Sequence, residues 1–403
     1  MLTLTQDDRA MLSRIAGWQD RIVARAVDWA GVNSGSGNAD GLARMAGPLA
    51  AELERLPGQL DWIDLPPVEQ IDAKGERRLV PQGQSLRLTV RPDAPMQVAL
   101  TGHYDTVFAA DSSFQSVREL ADGRLNGPGI ADMKGGISVM LAALEAFEGH
   151  PEAAHTGYQL LLSPDEETGS LGSASLLAEL AKRAKIGLTY EPALADGTLV
   201  SARKGSGNYH VVVQGRAAHA GRDFASGRNA IAAAARIAVA LDALNGRREE
   251  VTINVARIDG GGPLNSVPDR AILRFNIRVP DADAAAWLEG GIAQALQTGE
   301  GDGLTVALHG VMNRPPKPFT SEQQRLFDRL KSVGALIGQP IGWKPSGGVC
   351  EGNNLFAHGV PSIDTLGVRG GDIHSDQEYA WPDSFVERAQ LSALLLAKLR
   401  AIL

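Results

Sequence analysis

Leu100-Thr-Gly-His-Tyr-Asp-Thr-Val-Phe108 continues the apolar run Val98, Ala99 and Leu100, which reads as a buried strand giving way to a loop. His103 and Asp105 stand at i and i+2, and in extended chain that spacing puts both side chains on one face. An imidazole beside a carboxylate suits metal ligation, because the acid holds the second ring N–H and fixes the tautomer. A single His-x-Asp is also what an ordinary polar turn after a strand looks like. The decision therefore rests on the carboxylates and histidines at other strand ends.

Those ends are rich in both. A strand over 158–162 runs into Ser163-Pro-Asp-Glu-Glu-Thr-Gly169, and one over 186–189 runs into Tyr190-Glu191-Pro192. Between them and the opening motif, Asp122-Gly123 is a hairpin-turn signal. Asn126-Gly-Pro-Gly-Ile-Ala-Asp-Met-Lys-Gly-Gly136 is a glycine-rich loop entering a helix over 137–147. Strands are also expected over 86–91 and 97–101, and a helix over 173–183. Apolar positions at helical spacing (Met11, Ile15, Trp18, Ile22, Ala26, Trp29) predict one helix over 7–29, followed by another over 39–56. Alternation of this kind predicts an α/β domain with a mixed, mostly parallel sheet and helices on both faces. Ligands of such sheets collect beyond the strand C-termini, where these acids lie.

The pattern changes between 204 and 314. Strand 209–214, helix 228–244, strands 251–257 and 271–279, helix 282–297 and strand 304–308 follow in order. That is the β-α-β-β-α-β order of the ferredoxin-like fold, here a complete small domain inserted into a larger one. The expected division is therefore 1–203 with 315–403 as one domain and 204–314 as the other. Arg314-Pro-Pro-Lys-Pro318 makes a stiff junction, and the chain ends in a helix over 384–403.

Composition narrows the possibilities. The 403 residues suit about two to three domains, with 44% hydrophobic and 21% charged residues. A formal net charge of −8 and no basic run argue against nucleic acid as partner, which needs a concentrated basic surface. Cys350 is the single cysteine, so neither an internal disulfide nor a thiolate metal cluster can form. The first residues lack a basic n-region followed by an apolar stretch, and no apolar run reaches about 18 residues. A cytoplasmic protein that does not contact membranes is the expectation.

Collected at the loop ends are His103, Asp105, Asp132, Glu166, Glu167, Glu191 and His374. So many carboxylates at close range repel one another, so their convergence requires cations. Imidazole and carboxylate without thiolate favour zinc, with cobalt or manganese as other fits. Two ions about 3.5–4 Å apart can share a bridging carboxylate and a bridging hydroxide. The pair Glu166-Glu167 offers one ligand and one free general base.

With these motifs in order, the chain resembles the co-catalytic zinc amidohydrolase and exopeptidase family of acetylornithine deacetylase, succinyl-diaminopimelate desuccinylase, aminoacylase and glutamate carboxypeptidase. The matching stretches are Gly102-His-Tyr-Asp-Thr-Val107, Gly129-Ile-Ala-Asp-Met-Lys-Gly-Gly136, Asp165-Glu-Glu-Thr-Gly169, Glu191-Pro192 and Ile373-His-Ser375. They span nearly the whole chain, and the phrasing around Gly370 to Tyr379 is closest to the glutamate carboxypeptidase branch. The resemblance implies one metal held by His103, Asp132 and Glu191, and a second held by Asp132, Glu167 and His374. It implies that Asp105 orients His103, that Glu166 is the proton shuttle, and that the Asp132–Met133 peptide is cis.

In the inserted domain, Ala218-His219-Ala220-Gly221 resembles the family's lid histidine, which reaches the partner subunit's site and steadies the oxyanion. Asn265 and Arg278 resemble the substrate-binding positions, Arg278 gripping a free α-carboxylate. Lys204 and Arg314 are hinge or substrate candidates. Ser346-Gly-Gly-Val-Cys-Glu-Gly-Asn353 departs from the family's Gly-Gly-Thr/Ser-Asp-like loop by carrying Cys350 and Glu351. Its Gly347 and Gly348 are expected at the substrate, and Cys350 lies outside the ligand motifs. His150, His155, His210, His309 and His358 match nothing and read as structural or surface residues. The implied activity is hydrolysis of an amide or peptide bond beside a free carboxylate, in a homodimer formed through the inserted domain. A glutamate carboxypeptidase-like enzyme is the first reading and an acetylornithine-type deacylase the second; a non-catalytic metal- or ligand-binding relative is the alternative from another class.

Overall fold

The computed structural model describes residues 2–402. Its larger sheet has six strands in the order Gln59–Asp64, Gln84–Val90, Thr156–Ser163, Met96–His103, Ile186–Thr189, Ser362–Ile363. The first two pairings are antiparallel and the remaining three parallel, so the sheet is mixed and mostly parallel. Met96–His103 lies in its interior, with neighbours hydrogen-bonded on both edges.

The two-residue side-chain period of a strand sorts this strand's residues between two cores. Val98 and Leu100 join the cluster built with helices Gln6–Ala16, Gln19–Ala30, Lys134–Glu148 and Asp383–Ile402. Ala99 points the other way, toward Leu176, Leu177 and Leu180 of helix Ala174–Ala181 and Leu355 of helix Glu351–Ala357. Helices therefore cover both faces, as a parallel sheet requires.

Residues 205–314 form a second sheet, in the order Thr252–Gly260, Arg270–Val279, Gly205–Gln214, Thr305–Arg314, antiparallel throughout. Helices Ala230–Asp242 and Ala282–Gln297 pack on one face of it, over Val211, Val213, Leu273, Phe275 and Ile277. The chain order is β-α-β-β-α-β. Its other face meets a hairpin of the first unit, Val68–Ile71 with Arg77–Val80. There Arg274 Nη2 donates to the Asp72 carbonyl at 2.8 Å and Arg270 Nη1 to the Lys74 carbonyl at 2.8 Å.

Several elements depart from the sequence reading, among them the edge strand Gln59–Asp64 of the larger sheet, which has no counterpart in it. The expected helix over 7–29 is two helices, Gln6–Ala16 and Gln19–Ala30, broken at Gly17. Glycine is the least helix-favouring residue after proline, and the break lets both halves turn an apolar side to the same core. The hairpin at 68–80 was not anticipated. Its strands are four residues each and largely exposed, so they carry no apolar alternation to read. Among the described residues no helix is long and apolar enough to cross a membrane.

The first turns of Lys134–Glu148 fit closely against the end of strand Ile186–Thr189. Gly136 lies so near the Tyr190 carbonyl oxygen that a Cβ there would overlap it, whereas a Cβ at Gly47, in helix Ala39–Leu53, would meet nothing. Gly136→Ala is therefore expected to destabilise by about 1–3 kcal/mol through overpacking. Gly47→Ala should stabilise by about 0.5–1 kcal/mol, since helix interiors favour alanine. Urea midpoints of the two variants check the contrast.

Candidate active site

Strands Met96–His103 and Thr156–Ser163 run parallel and end side by side, with His103 paired to Ser163, and Ile186–Thr189 flanks the first. The loops leaving three strand ends therefore converge. His103 Nε2 lies 3.1 Å from Asp132 Oδ1 and 3.8 Å from Glu191 Oε2. His374 Nε2 lies 3.3 Å from Asp132 Oδ2 and 3.2 Å from Glu167 Oε2. Two sets of candidate ligand atoms result, His103–Asp132–Glu191 and Asp132–Glu167–His374, sharing Asp132.

Asp105 does more than accompany His103, whose Nδ1 lies 3.3 Å from its Oδ1. It also accepts the backbone N–H of Glu166 on Oδ1 and that of Glu167 on Oδ2, both at 3.1 Å, and the Ser36 hydroxyl at 2.7 Å. One buried carboxylate thus ties the His103 loop to the Glu166-Glu167 loop. Glu378, which the sequence reading passed over, does the same for the glycine-rich loop. Its Oε1 accepts from the N–H of Ala131 (2.9 Å) and Asp132 (3.0 Å), and its Oε2 from Gly129 (3.1 Å). The Asp132–Met133 peptide is cis.

Electrostatics show what these groups lack. Burial first, then the charge of Asp132, pushes the carboxyl of Glu167 up to about 8 and that of Glu191 up to about 7. Burial also acts against Asp132, but hydrogen bonds from His103 and His374 hold it below the usual carboxylate range. Hydrogen bonds to Asp132 and Glu167 raise His374 to about 11. Glu191 Oε1 is buried without a hydrogen-bond partner. Carboxylates in this state are relieved by a cation between them. Two imidazoles and three carboxylates without thiolate fit zinc, cobalt or manganese.

A cleft of about 570 Å³ opens over this cluster, lined by Asp132, Glu166, Glu167, Glu191 and His374 below. Ser206, Asn276, Arg278 and Arg314 line it from the second sheet, and Gly348 contributes to its wall. Gly347 lines the adjoining depression instead. Arg314 is fully buried; its Nη2 donates to Glu166 Oε1 at 2.6 Å and its Nη1 to Asn354 Oδ1 at 2.6 Å. Arg278 Nη1 is buried without a hydrogen-bond partner. His219 ends a short strand paired with Ser266–Val267, and Asn265 stands in the turn just before that partner strand, its carbonyl accepting the Ala220 N–H at 2.8 Å; both residues are exposed and neither lines the cleft. Lys204 is spent on the Glu250 carbonyl at 2.7 Å. Cys350 caps helix Glu351–Ala357, its Sγ accepting the Gly352 N–H at 3.3 Å. Glu351 is buried and hydrogen-bonded to Ser163.

An α/β sheet with histidine and carboxylate clusters at its strand ends, beneath a cleft roofed by a second sheet, defines a metal-dependent hydrolase. The family model for Peptidase family M20/M25/M40 matches residues 99–398, and the chain belongs to that family. It is 25% identical over 400 residues to carboxypeptidase G2 of Pseudomonas sp. (strain RS-16), covering 98% of this chain and 93% of that protein. It is 26% identical over 353 residues to succinyl-diaminopimelate desuccinylase of Verminephrobacter eiseniae (82% and 85%). Among solved structures, an M20 family metallo-carboxypeptidase from Sulfolobus solfataricus superposes with a TM-score of 0.73 at 16% identity, covering 95% and 99% of the two chains.

Removing the carboxylate of Asp105 strands the donors of Glu166, Glu167 and Ser36 in a buried site. Asp105→Ala is expected to lower stability by about 3 kcal/mol, and Asp105→Asn by less, because its carboxamide still accepts one of these bonds. Thermal or urea unfolding of both variants measures the difference.

Proposed function

We propose that the chain is a dinuclear metal hydrolase that cleaves an amide or peptide bond next to a free α-carboxylate, with zinc as the best-fitting ion. The sharing of Asp132 between two ligand sets, with Glu166 beside them, carries this reading. His103, Asp132 and Glu191 would hold one ion, and Asp132, Glu167 and His374 the other. Bound there, two divalent ions supply Lewis acidity and an acidified water.

The chain's own groups do the rest. Asp105 fixes the His103 ring and the register of Glu166 and Glu167. Glu166 accepts the proton of the attacking water and delivers it to the leaving amine, and Arg314 holds its carboxylate in place. Arg278, which lines the cleft and whose Nη1 has no hydrogen-bond partner, binds the substrate's α-carboxylate in a charge-assisted pair. Gly348 keeps the cleft wall open. His219 and Asn265, exposed on the second unit, act on the oxyanion and carbonyl of a second copy's site, which makes the enzyme a homodimer with the 204–314 unit as lid.

The substrate is an N-acyl amino acid or a short peptide. The match along 98% of the chain to a protein named carboxypeptidase G2 favours the carboxypeptidase reading. The matches to succinyl-diaminopimelate desuccinylases support a deacylase as the second. Both are tested by hydrolysis of a panel of N-acyl amino acids and dipeptides with and without Zn²⁺ or Co²⁺. Metal-dependent cleavage is expected, falling by about 10²–10⁴-fold in Glu166→Gln. Activity that survives that change removes Glu166 from the proton path. Arg278→Ala should lower kcat/KM by about 10- to 100-fold, mainly through KM, for the loss of a charge-assisted hydrogen bond.

A further inference from the structure

Next to the cleft lies a second cavity of about 230 Å³. Thr168, Asn208 and Asn313 line both spaces, so the two adjoin at these side chains. Its roof is the face of the second sheet that carries no helices, where His210 and His309 stand directly opposite each other in register. Its floor is the loop just past Glu167, through Thr168 and Leu171, and its outer wall is the hairpin at 68–71 with Gln82.

The lining mixes apolar side chains (Val68, Ile71, Leu171 and Val311) with polar ones and holds no lysine or arginine. Gln70, Gln82, Asn208 and Asn313 contribute carboxamides, and His210 and His309 contribute imidazoles. Asn208 Oδ1 already accepts from Asn276 at 2.8 Å, and Asn313 Nδ2 already donates to the Gly169 carbonyl at 2.9 Å. A donor on Asn208 and an acceptor on Asn313 remain. His210 Nδ1 is buried without a partner, and burial, with Arg274 and His309 nearby, pushes its ring below the ordinary imidazole range. The one carboxylate in the lining is Glu69, 3.8 Å from His309 Nδ1 and half-exposed. An anion would meet its charge with no lysine or arginine in the lining to offset it.

Distance fits the same picture. On strand Gly205–Gln214, Ser206 pairs with both Arg278 and Arg314, and His210 pairs with His309. Four residues of strand span about 13 Å, roughly the length of an amino acid carrying an extended acyl group. A cavity of about 150 Å³ admits benzene, so this one has room for a ring with a polar substituent.

We infer that this cavity is the subsite for the far end of the substrate's acyl portion, and that it selects an uncharged, planar hydrogen-bonding group such as a carboxamide over a carboxylate. The inference rests on the hydrolase reading above and adds what the acyl group must be. It also sets the chain apart from an enzyme selective for acyl groups that end in a carboxylate, and it gives His210 and His309 a binding role in place of a structural one.

The test compares three acyl groups on whichever amino acid the panel shows to be best: acetyl, 4-carbamoylbenzoyl and 4-carboxybenzoyl. The last two are nearly isosteric and differ in charge. The metal-loaded enzyme is expected to hydrolyse the carbamoyl compound with kcat/KM at least about tenfold above both others, as hydrogen-bonding sites discriminate. His210→Leu and Gln82→Leu should each shrink that ratio several-fold. Hydrolysis of all three at similar rates, or a ratio unmoved by both variants, overturns the subsite while leaving the hydrolase reading intact. Calorimetric binding of the two aroyl compounds to wild-type and His210→Leu protein reads the same preference without turnover. Equal affinities there overturn the subsite even if the hydrolase reading has failed.

Discussion

Three carboxylates, those of Asp132, Glu167 and Glu191, meet at one buried point, and everything around them serves to hold them there. Like charges at such range raise one another's proton affinity, and two of the three are pushed well above the ordinary carboxylate range. Left to themselves they would separate. Backbone hydrogen bonds prevent this: Asp105 gathers the amides of Glu166 and Glu167, and Glu378 gathers those of Gly129, Ala131 and Asp132. The close seat of Gly136 on Tyr190 sets the glycine-rich loop against Glu191. These restraints are a form of preorganisation, in which the supporting groups fix the ligands before any cation arrives.

The sheet supplies the convergence itself. Parallel strands release their loops at one end, so motifs separated by dozens of residues arrive together. The second unit completes the cleft from above through three strands, Gly205–Gln214 between Arg270–Val279 and Thr305–Arg314; the start of the first sits beside Arg278 and Arg314, and its middle carries His210. Arg314 thereby links the two units at the candidate base, since it reaches from the second sheet to Glu166. A charged pair in so buried a place is costly unless every donor is matched, and Asn354 and Ser170 take further donors of that guanidinium.

Much of this was legible in the chain. Strand ends followed by His103, Glu166-Glu167 and Glu191 could be read because buried parallel strands are short apolar runs with abrupt polar exits. The β-α-β-β-α-β order of the second unit was visible for a similar reason. What escaped reading depends on contacts between distant segments. Glu378 is one more acid after a histidine motif until the fold brings it beneath residues 129–132. Arg314 sat near a proline-rich junction, and nothing local marks it as the partner of Glu166. The break at Gly17 was hidden because apolar spacing continues across it, and the 68–80 hairpin because its strands are short and exposed. Within a single chain, His219 and Asn265 stay outside the cleft, so the role that the resemblance implies for them depends on a second copy.

The claim on which the account stands is that Asp132 is shared between two cations. Equilibrium dialysis of the metal-stripped protein against Zn²⁺, with bound metal counted by elemental analysis, tests it most directly in wild type and in Asp132→Ala. The account predicts two ions per wild-type chain and the loss of both in the variant, because each ligand set loses a member. Two ions retained by folded Asp132→Ala, or none bound by the wild type, would contradict it.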